Sequence, residues 1–182
     1  MNQQFLKDVI AGLSKAPQKT LSSKYFYDAV GDALFVKIMA MPEYYLTNAE
    51  MDIFQNKTGE LIDSLGLNKD LHYEFIEFGA GDGTKTIHLL AALLEQGYDF
   101  EYLPVDISGN ALEGLESMLH RELPALQINA KHGDYFVTLE QLRRNTAPKV
   151  VMILGSNMGN LSDKKAAAFI YHLGAFLVKG DK

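Results

Sequence analysis

The sequence predicts an open α/β fold, a parallel sheet with helices on both faces, preceded by a helical N-terminal segment. Three observations predict it. Residues 74–86, EFIEFGAGDGTKT, form an apolar strand that runs into three closely spaced glycines and then a helix. Residues 101–106, EYLPVD, form a second apolar strand ending in an acid. Residues 149–154, KVVMIL, are continuously apolar with a β-branched pair, as expected of a central strand buried on both faces.

The elements before the first strand read as helical. Residues 1–15 carry Lys7 and Asp8 in mid-stretch, and they predict an amphipathic helix with Phe5, Leu6, Val9, Ile10 and Leu13 turned inward. Residues 32–40 have apolar side chains at helical spacing and are stopped by Pro42. Thr47-Asn48-Ala49-Glu50 has the spacing of a capping box, with Ile53, Phe54, Leu61, Ile62 and Leu65 continuing one apolar face behind it. A linker is expected at residues 66–71, dividing a helical segment, 1–71, from an alternating strand–helix part, 72–182. In that second part Ser108 is the expected cap of the helix after the second strand. A short third strand is expected at 127–131, and a helix start at Ser162-Asp163.

Chemistry concentrates where the strands end. In Gly79-Ala80-Gly81-Asp82-Gly83 the glycines permit positive φ and leave no Cβ in the way of a ligand. Thr84 stands where a dinucleotide fingerprint, G-x-G-x-x-G, requires its last glycine. The run reads better as the G-x-G loop of a class I methyltransferase dependent on S-adenosylmethionine (SAM). Asp106, at the tip of the second strand, is placed to accept from both hydroxyls of a ribose. After the third strand, His132-Gly133-Asp134-Tyr135-Phe136 pairs an acid with aromatics, which suits an adenine. The fourth strand ends in Gly155-Ser156-Asn157-Met158-Gly159-Asn160, polar and glycine-containing. In open parallel sheets ligands bind at these carboxyl ends.

These segments, in this order, carry a family resemblance. Tyr25-Phe26-Tyr27-Asp28, Leu34-Phe35 and Met41-Pro42-Glu43-Tyr44-Tyr45-Leu46-Thr47 resemble the N-terminal signature of the histidine-specific SAM-dependent methyltransferase family. EFGAGDGTKT, YLPVDIS, GDYF and LGSNMGNLS resemble its remaining motifs, and the likeness spans residues 16–182. The resemblance implies a Rossmann-like class I SAM-dependent methyltransferase sheet with helices on both faces. It implies methyl transfer from SAM to the α-amino group of an amino acid, with L-histidine first and another aromatic or indole amino acid second. It also implies roles for individual residues. Gly79, Ala80 and Gly81 would hold the methionine part of SAM, and Lys85 would pair with its carboxylate. Asp106 would take the ribose, and Asp134 with Tyr135 the adenine. Tyr44, Asn160 and Tyr27 would line the substrate pocket, the helical segment thus contributing to it. No residue is assigned covalent catalysis. Tyr135 stands where the family pattern has phenylalanine, and Asn157 where it has threonine.

Composition is consistent with this class and excludes others. A net charge of −6 argues against a nucleic-acid partner, and no apolar run is long enough for a membrane helix. Without cysteine there is no disulfide, thiolate site or thiol nucleophile, and a cytoplasmic location is the default. The five histidines show no ligand spacing, so no metal is expected. Ser156 lacks the G-x-S-x-G elbow of a hydrolase. The strand–helix alternation stops after the fourth strand and its helix, so the chain reads as truncated there. An unpaired edge on that strand would then favour self-association. Two rival classes stay open: a nicotinamide-dependent oxidoreductase, against which Thr84 counts, and a non-catalytic SAM-binding module.

Overall fold

The structure is a computed structural model that describes residues 3–26, 28–143, 146–155 and 157–182. Four helices come first: α1 (Gln3–Leu13), α2 (Ala29–Met39), α3 (Tyr45–Asn56) and α4 (Thr58–Leu65). Strand and helix then alternate through β1 (His72–Phe78), α5 (Thr86–Glu95), β2 (Asp99–Asp106) and α6 (Gly109–Glu122). Two short strands follow, β3 (Gln127–Ile128) and β4 (Lys131–His132), then α7 (Tyr135–Leu142), β5 (Lys149–Met152) and α8 (Asp163–Phe176).

All strand pairings are parallel, in the order β3-β2-β1-β5, with β4 also on β2. β1 lies inside the sheet because six of its seven residues are buried, leaving it no solvent face. Its side chains alternate between two cores. Tyr73 and Phe75 pack with Leu89, Leu90 and Leu93 of α5, Leu115 and Leu119 of α6, Phe54 of α3 and Ile62 of α4. Ile76 and Phe78 pack with Leu139 and Leu142 of α7 and Phe169 and Phe176 of α8. Two layers of helix around one sheet remove this apolar surface from water, worth roughly 1.5–3 kcal/mol per large side chain.

The topology places the site. From β1 the chain builds outward through β2 and β3, then returns to set β5 on the other side of β1. The strand order therefore reverses between β1 and β5, and a crevice opens outside their carboxyl ends.

Several sequence expectations shift. α1 forms, yet Phe5, Leu6, Ile10 and Leu13 are exposed, and Gly12 is its buried residue. The helix rests on the returning chain at Thr20, whose carbonyl lies 1.9 Å from where a Cβ on Gly12 would stand. The capping-box reading of Thr47–Glu50 is corrected: α3 already begins at Tyr45, with no side-chain cap. The expected third strand is interrupted between Ile128 and Lys131, and β5 ends at Met152 rather than Leu154. Gly66, at φ +58°, ends α4 in the left-handed conformation and opens the expected linker. The outer edge of β5 is not bare. Lys182 N–H donates to Lys149 O (2.8 Å) and Val151 N–H donates to Lys182 O (2.9 Å).

Among the described residues no helix is long and apolar enough to cross a membrane. Nor does any group of three His, Cys, Asp or Glu among them lie close enough to hold a metal ion.

Candidate functional site

The glycine loop is held from both sides. Gly79 N–H donates to Val105 O of β2 (2.7 Å), and Gly81 N–H donates to the Asp106 carboxylate (3.1 Å). The other Asp106 oxygen accepts from Ser108 N–H (2.9 Å). Each oxygen keeps a second lone pair, so Asp106 retains acceptor capacity at the crevice. Gly79 sits at φ +76°, and a Cβ there would stand 2.4 Å from Asn157 Nδ2 and 2.6 Å from the Tyr135 hydroxyl. Only glycine fits so close an approach. Gly81, at φ +59°, has no atom within 4 Å of that position, so its face of the loop is open.

Asn157 is the residue the sequence reading undervalued. Its amide donates to Leu154 O (2.5 Å) and Gly79 O (3.1 Å), joining the end of β5 to the loop after β1. Asparagine brings two N–H donors where threonine has one hydroxyl. The signal was in the sequence, as a departure from the family pattern, but its consequence needed the two strand ends side by side.

Behind the loop lies Glu77, fully buried. Its carboxyl accepts from Tyr102 OH (2.6 Å) and from Thr86 Oγ1 (3.0 Å), linking β1, β2 and the first turn of α5. Burial pushes this carboxyl up to about 7, against the opposing pull of the two hydroxyls. The same burial raises the Tyr102 hydroxyl, with the adjacent Glu77 charge adding to it.

Lys85 and Glu50 meet across the crevice. Glu50, from α3, accepts from Lys85 Nζ through one oxygen and from Gly155 N–H (2.8 Å) through the other. Both side chains are mostly withdrawn from solvent, 17% exposed for Lys85 and 24% for Glu50. Sequence reasoning missed Glu50 altogether as a site residue, because it was read as a helix cap. On the other flank, Asp32 of α2 accepts from Ser108 Oγ (2.6 Å).

Of the remaining expected site residues, Tyr135 lies at the glycine loop. Tyr135 packs its ring edge-on against Phe78 (5.3 Å between centroids) at the end of β1. Asp134 is exposed and caps α7, accepting from Phe136 N–H (2.9 Å). Tyr44, half-buried just before α3, sets its ring edge-on to Phe35 (6.0 Å). Asn160 closes the 3-10 turn that Asn157 opens. Tyr27 and Ser156 lie outside the described residues. A shallow concavity on α7, lined by Phe136, Val137, Glu140 and Gln141, contains no cation and none of these residues.

A glycine loop, an acid at the second strand's tip and a cation meet at the switch point. The model of the SAM-dependent, histidine-specific methyltransferases covers residues 5–182. This chain belongs to that family. Among relatives, it is 34% identical to histidine N-alpha-methyltransferase of Mycobacterium tuberculosis, over 96% of this chain and 52% of that protein. It is 29% identical to a 4-dimethylallyltryptophan N-methyltransferase of Epichloe festucae var. lolii, over 94% of this chain and 50% of that protein. It is 30% identical to ergothioneine biosynthesis protein 1 of Schizosaccharomyces pombe, over 82% of this chain and 20% of that one. The chain thus spans about half the length of the first two and a fifth of the third.

Solved structures agree on the fold. The SAM-bound magnesium protoporphyrin IX methyltransferase of Synechocystis superposes with a TM-score of 0.55 at 14% identity, over 90% of this chain and 74% of that one. A SAM-dependent methyltransferase of Clostridium acetobutylicum gives 0.52 at 14% identity, over 82% and 54%. The histidine-specific family therefore uses, in this chain, the Rossmann-like class I architecture expected from its motifs.

Proposed function

We propose that this chain is the SAM-binding part of an N-methyltransferase acting on the α-amino group of an amino acid, with L-histidine as substrate. The observation that carries the reading is the union of the open glycine loop and Asp106 at the β1–β5 switch point, within a histidine-specific family. The residues fit the cofactor. The exposed face of Gly81 leaves room for a ligand backbone, Asp106 offers acceptors for ribose hydroxyls, and Lys85 offers a cation for a carboxylate. Asp134 and Tyr135 are the adenine residues of this reading. Ala80, within the loop, is buried against the core.

When bound, SAM supplies an already activated methyl group, which passes to the amine nitrogen with loss of one proton. What the protein must contribute is alignment, worth roughly 7–11 kcal/mol in favourable cases. Tyr44, Tyr27 and Asn160 are the residues we assign to the amino-acid substrate, which gives the helical segment, 1–71, a share in the pocket. A cytoplasmic location goes with this reading. The fungal relative's name favours an indole amino acid as the second candidate.

Calorimetric titration with SAM, S-adenosylhomocysteine and NAD tests the cofactor. Binding of both adenosyl ligands, no binding of NAD, and a loss of about a hundredfold in Asp106→Ala are expected, since charge-assisted bonds to two hydroxyls would go. Mass spectrometry of free histidine and tryptophan incubated with SAM and the intact protein tests the substrate. Methylated tryptophan without methylated histidine would overturn the assignment.

A further inference from the structure

We propose that Glu50 is a cofactor-binding residue whose carboxylate receives the α-ammonium of the ligand's amino-acid end, beside Lys85. The inference rests on the adenosyl-ligand reading above. It also makes Glu50 the group that excludes dinucleotides from this glycine loop.

The placement is specific. Glu50 reaches from the N-terminal helical segment to partners 35 and 105 residues away, Lys85 and Gly155, one beyond each of the two strands that flank the switch point. At Gly155, φ +68°, a Cβ would lie 3.6 Å from Lys85 Nζ, so the backbone there passes close to the ion pair. The pair therefore lines the crevice at the point where the strand order reverses.

The chemistry asks for such a pair. The amino-acid end of SAM is a zwitterion, and a lone lysine would match its carboxylate while leaving its ammonium desolvated without a partner. A lysine and a glutamate side by side present the complementary charges, giving four charges of alternating sign. Neither has to release the other. Each Glu50 oxygen has one recorded donor and a second lone pair, and an ammonium has three donors.

The other acids near the loop have no cation in contact with them among the described residues. Asp106, bonded to Gly81 and Ser108, stands at the tip of β2 on the ribose side of this reading, and Asp134 caps α7. Asp82 turns to Thr84, and Glu77 is sealed behind the loop by Thr86 and Tyr102. A pyrophosphate, by contrast, would bring two negative charges against Glu50, an arrangement that like-charge repulsion disfavours.

The test compares S-adenosylhomocysteine with its desamino analogue, which keeps the carboxylate, thioether and adenosine but lacks the ammonium. Dissociation constants are measured by calorimetry on wild-type protein and on Glu50→Gln, whose side chain is isosteric and uncharged. Wild type should prefer the amino ligand by about tenfold or more, as a charge-assisted hydrogen bond implies. Glu50→Gln should lose that preference while holding the desamino analogue within about threefold of wild type. Glu50→Asp, keeping the charge on a shorter stem, should retain part of it. Equal weakening of both ligands in Glu50→Gln would assign Glu50 a structural role and overturn the proposal, as would no weakening of either. Should Glu50→Gln not fold, equal affinity of wild type for the two ligands is itself sufficient to overturn it. Wild-type protein that binds neither ligand would bring down the cofactor reading itself, a separate result.

Discussion

Glu77 shows how a single buried carboxyl can set a pH response. Its ordinary value of 4.5 is raised to about 7 in the folded protein, because burial penalises the ion more than the Tyr102 and Thr86 hydroxyls favour it. The folded form holds its proton up to about 7, whereas the unfolded chain releases it near 4.5. The contribution to stability is therefore complete below 4.5 and is lost as pH rises through about 7. A shift of this size corresponds to about 3 kcal/mol. Glu77→Gln, permanently neutral at the same size, should flatten the dependence of the urea midpoint between about pH 5 and about pH 8. At the upper end it should unfold later than wild type. A variant that follows the wild-type curve throughout would assign the pH dependence to other groups. Asp8 gives the opposite case: hydrogen bonds from Tyr25, then Lys24 and Gln4, hold its carboxyl down at about 2 and tie α1 to the turn that follows it.

At the scale of elements, α6 is the helix whose placement was most legible. Ser108 was expected as its cap and is one: its Oγ accepts from Ala111 N–H (3.1 Å). The same hydroxyl donates to Asp32, so one side chain both starts α6 and fastens α2 to the end of β2. Ser108→Ala should cost about 1–2 kcal/mol, the upper part of the usual range for a lost cap, because a second bond goes with it. Chemical denaturation measures this, and a loss below about 0.5 kcal/mol would mean that water replaces both bonds. At α3 the same kind of local reasoning failed. Thr47 and Glu50 stand at capping-box spacing, yet the helix begins at Tyr45 and Glu50 turns away to Lys85 and Gly155. A capping box offers a glutamate one backbone N–H. The tertiary site offers a cation and a backbone N–H together, and that combination wins.

The whole molecule is a doubly covered sheet against which the helical segment packs through Phe54 and Ile62, and two of its carboxylates reach the strand ends. Asp32 reaches the end of β2, and Glu50 reaches the residues beyond β1 and β5. A ligand held between them would tighten both layers. Hydrogen exchange should therefore slow in α3 as well as in the glycine loop when S-adenosylhomocysteine binds. Protection confined to the loop would separate the helical segment from the cofactor.

The sequence by itself determined the class of the sheet and the ends of its first two strands, at Phe78 and Asp106. A run of apolar residues closed by glycines or an acid is governed by local sterics and burial, which the chain encodes at short range. Gly79, Gly81 and Asp106 could be read for that reason, and the structure bonds Gly81 N–H to the Asp106 carboxylate and Gly79 N–H to the neighbouring Val105 carbonyl. Only the tertiary structure decided what Glu50 and Asn157 do, how deeply Glu77 is buried, and that α1 leaves Phe5 and Ile10 exposed. Those outcomes depend on partners far along the chain. Which of several polar side chains captures a distant cation or carbonyl is settled by packing, after the strands have been set side by side.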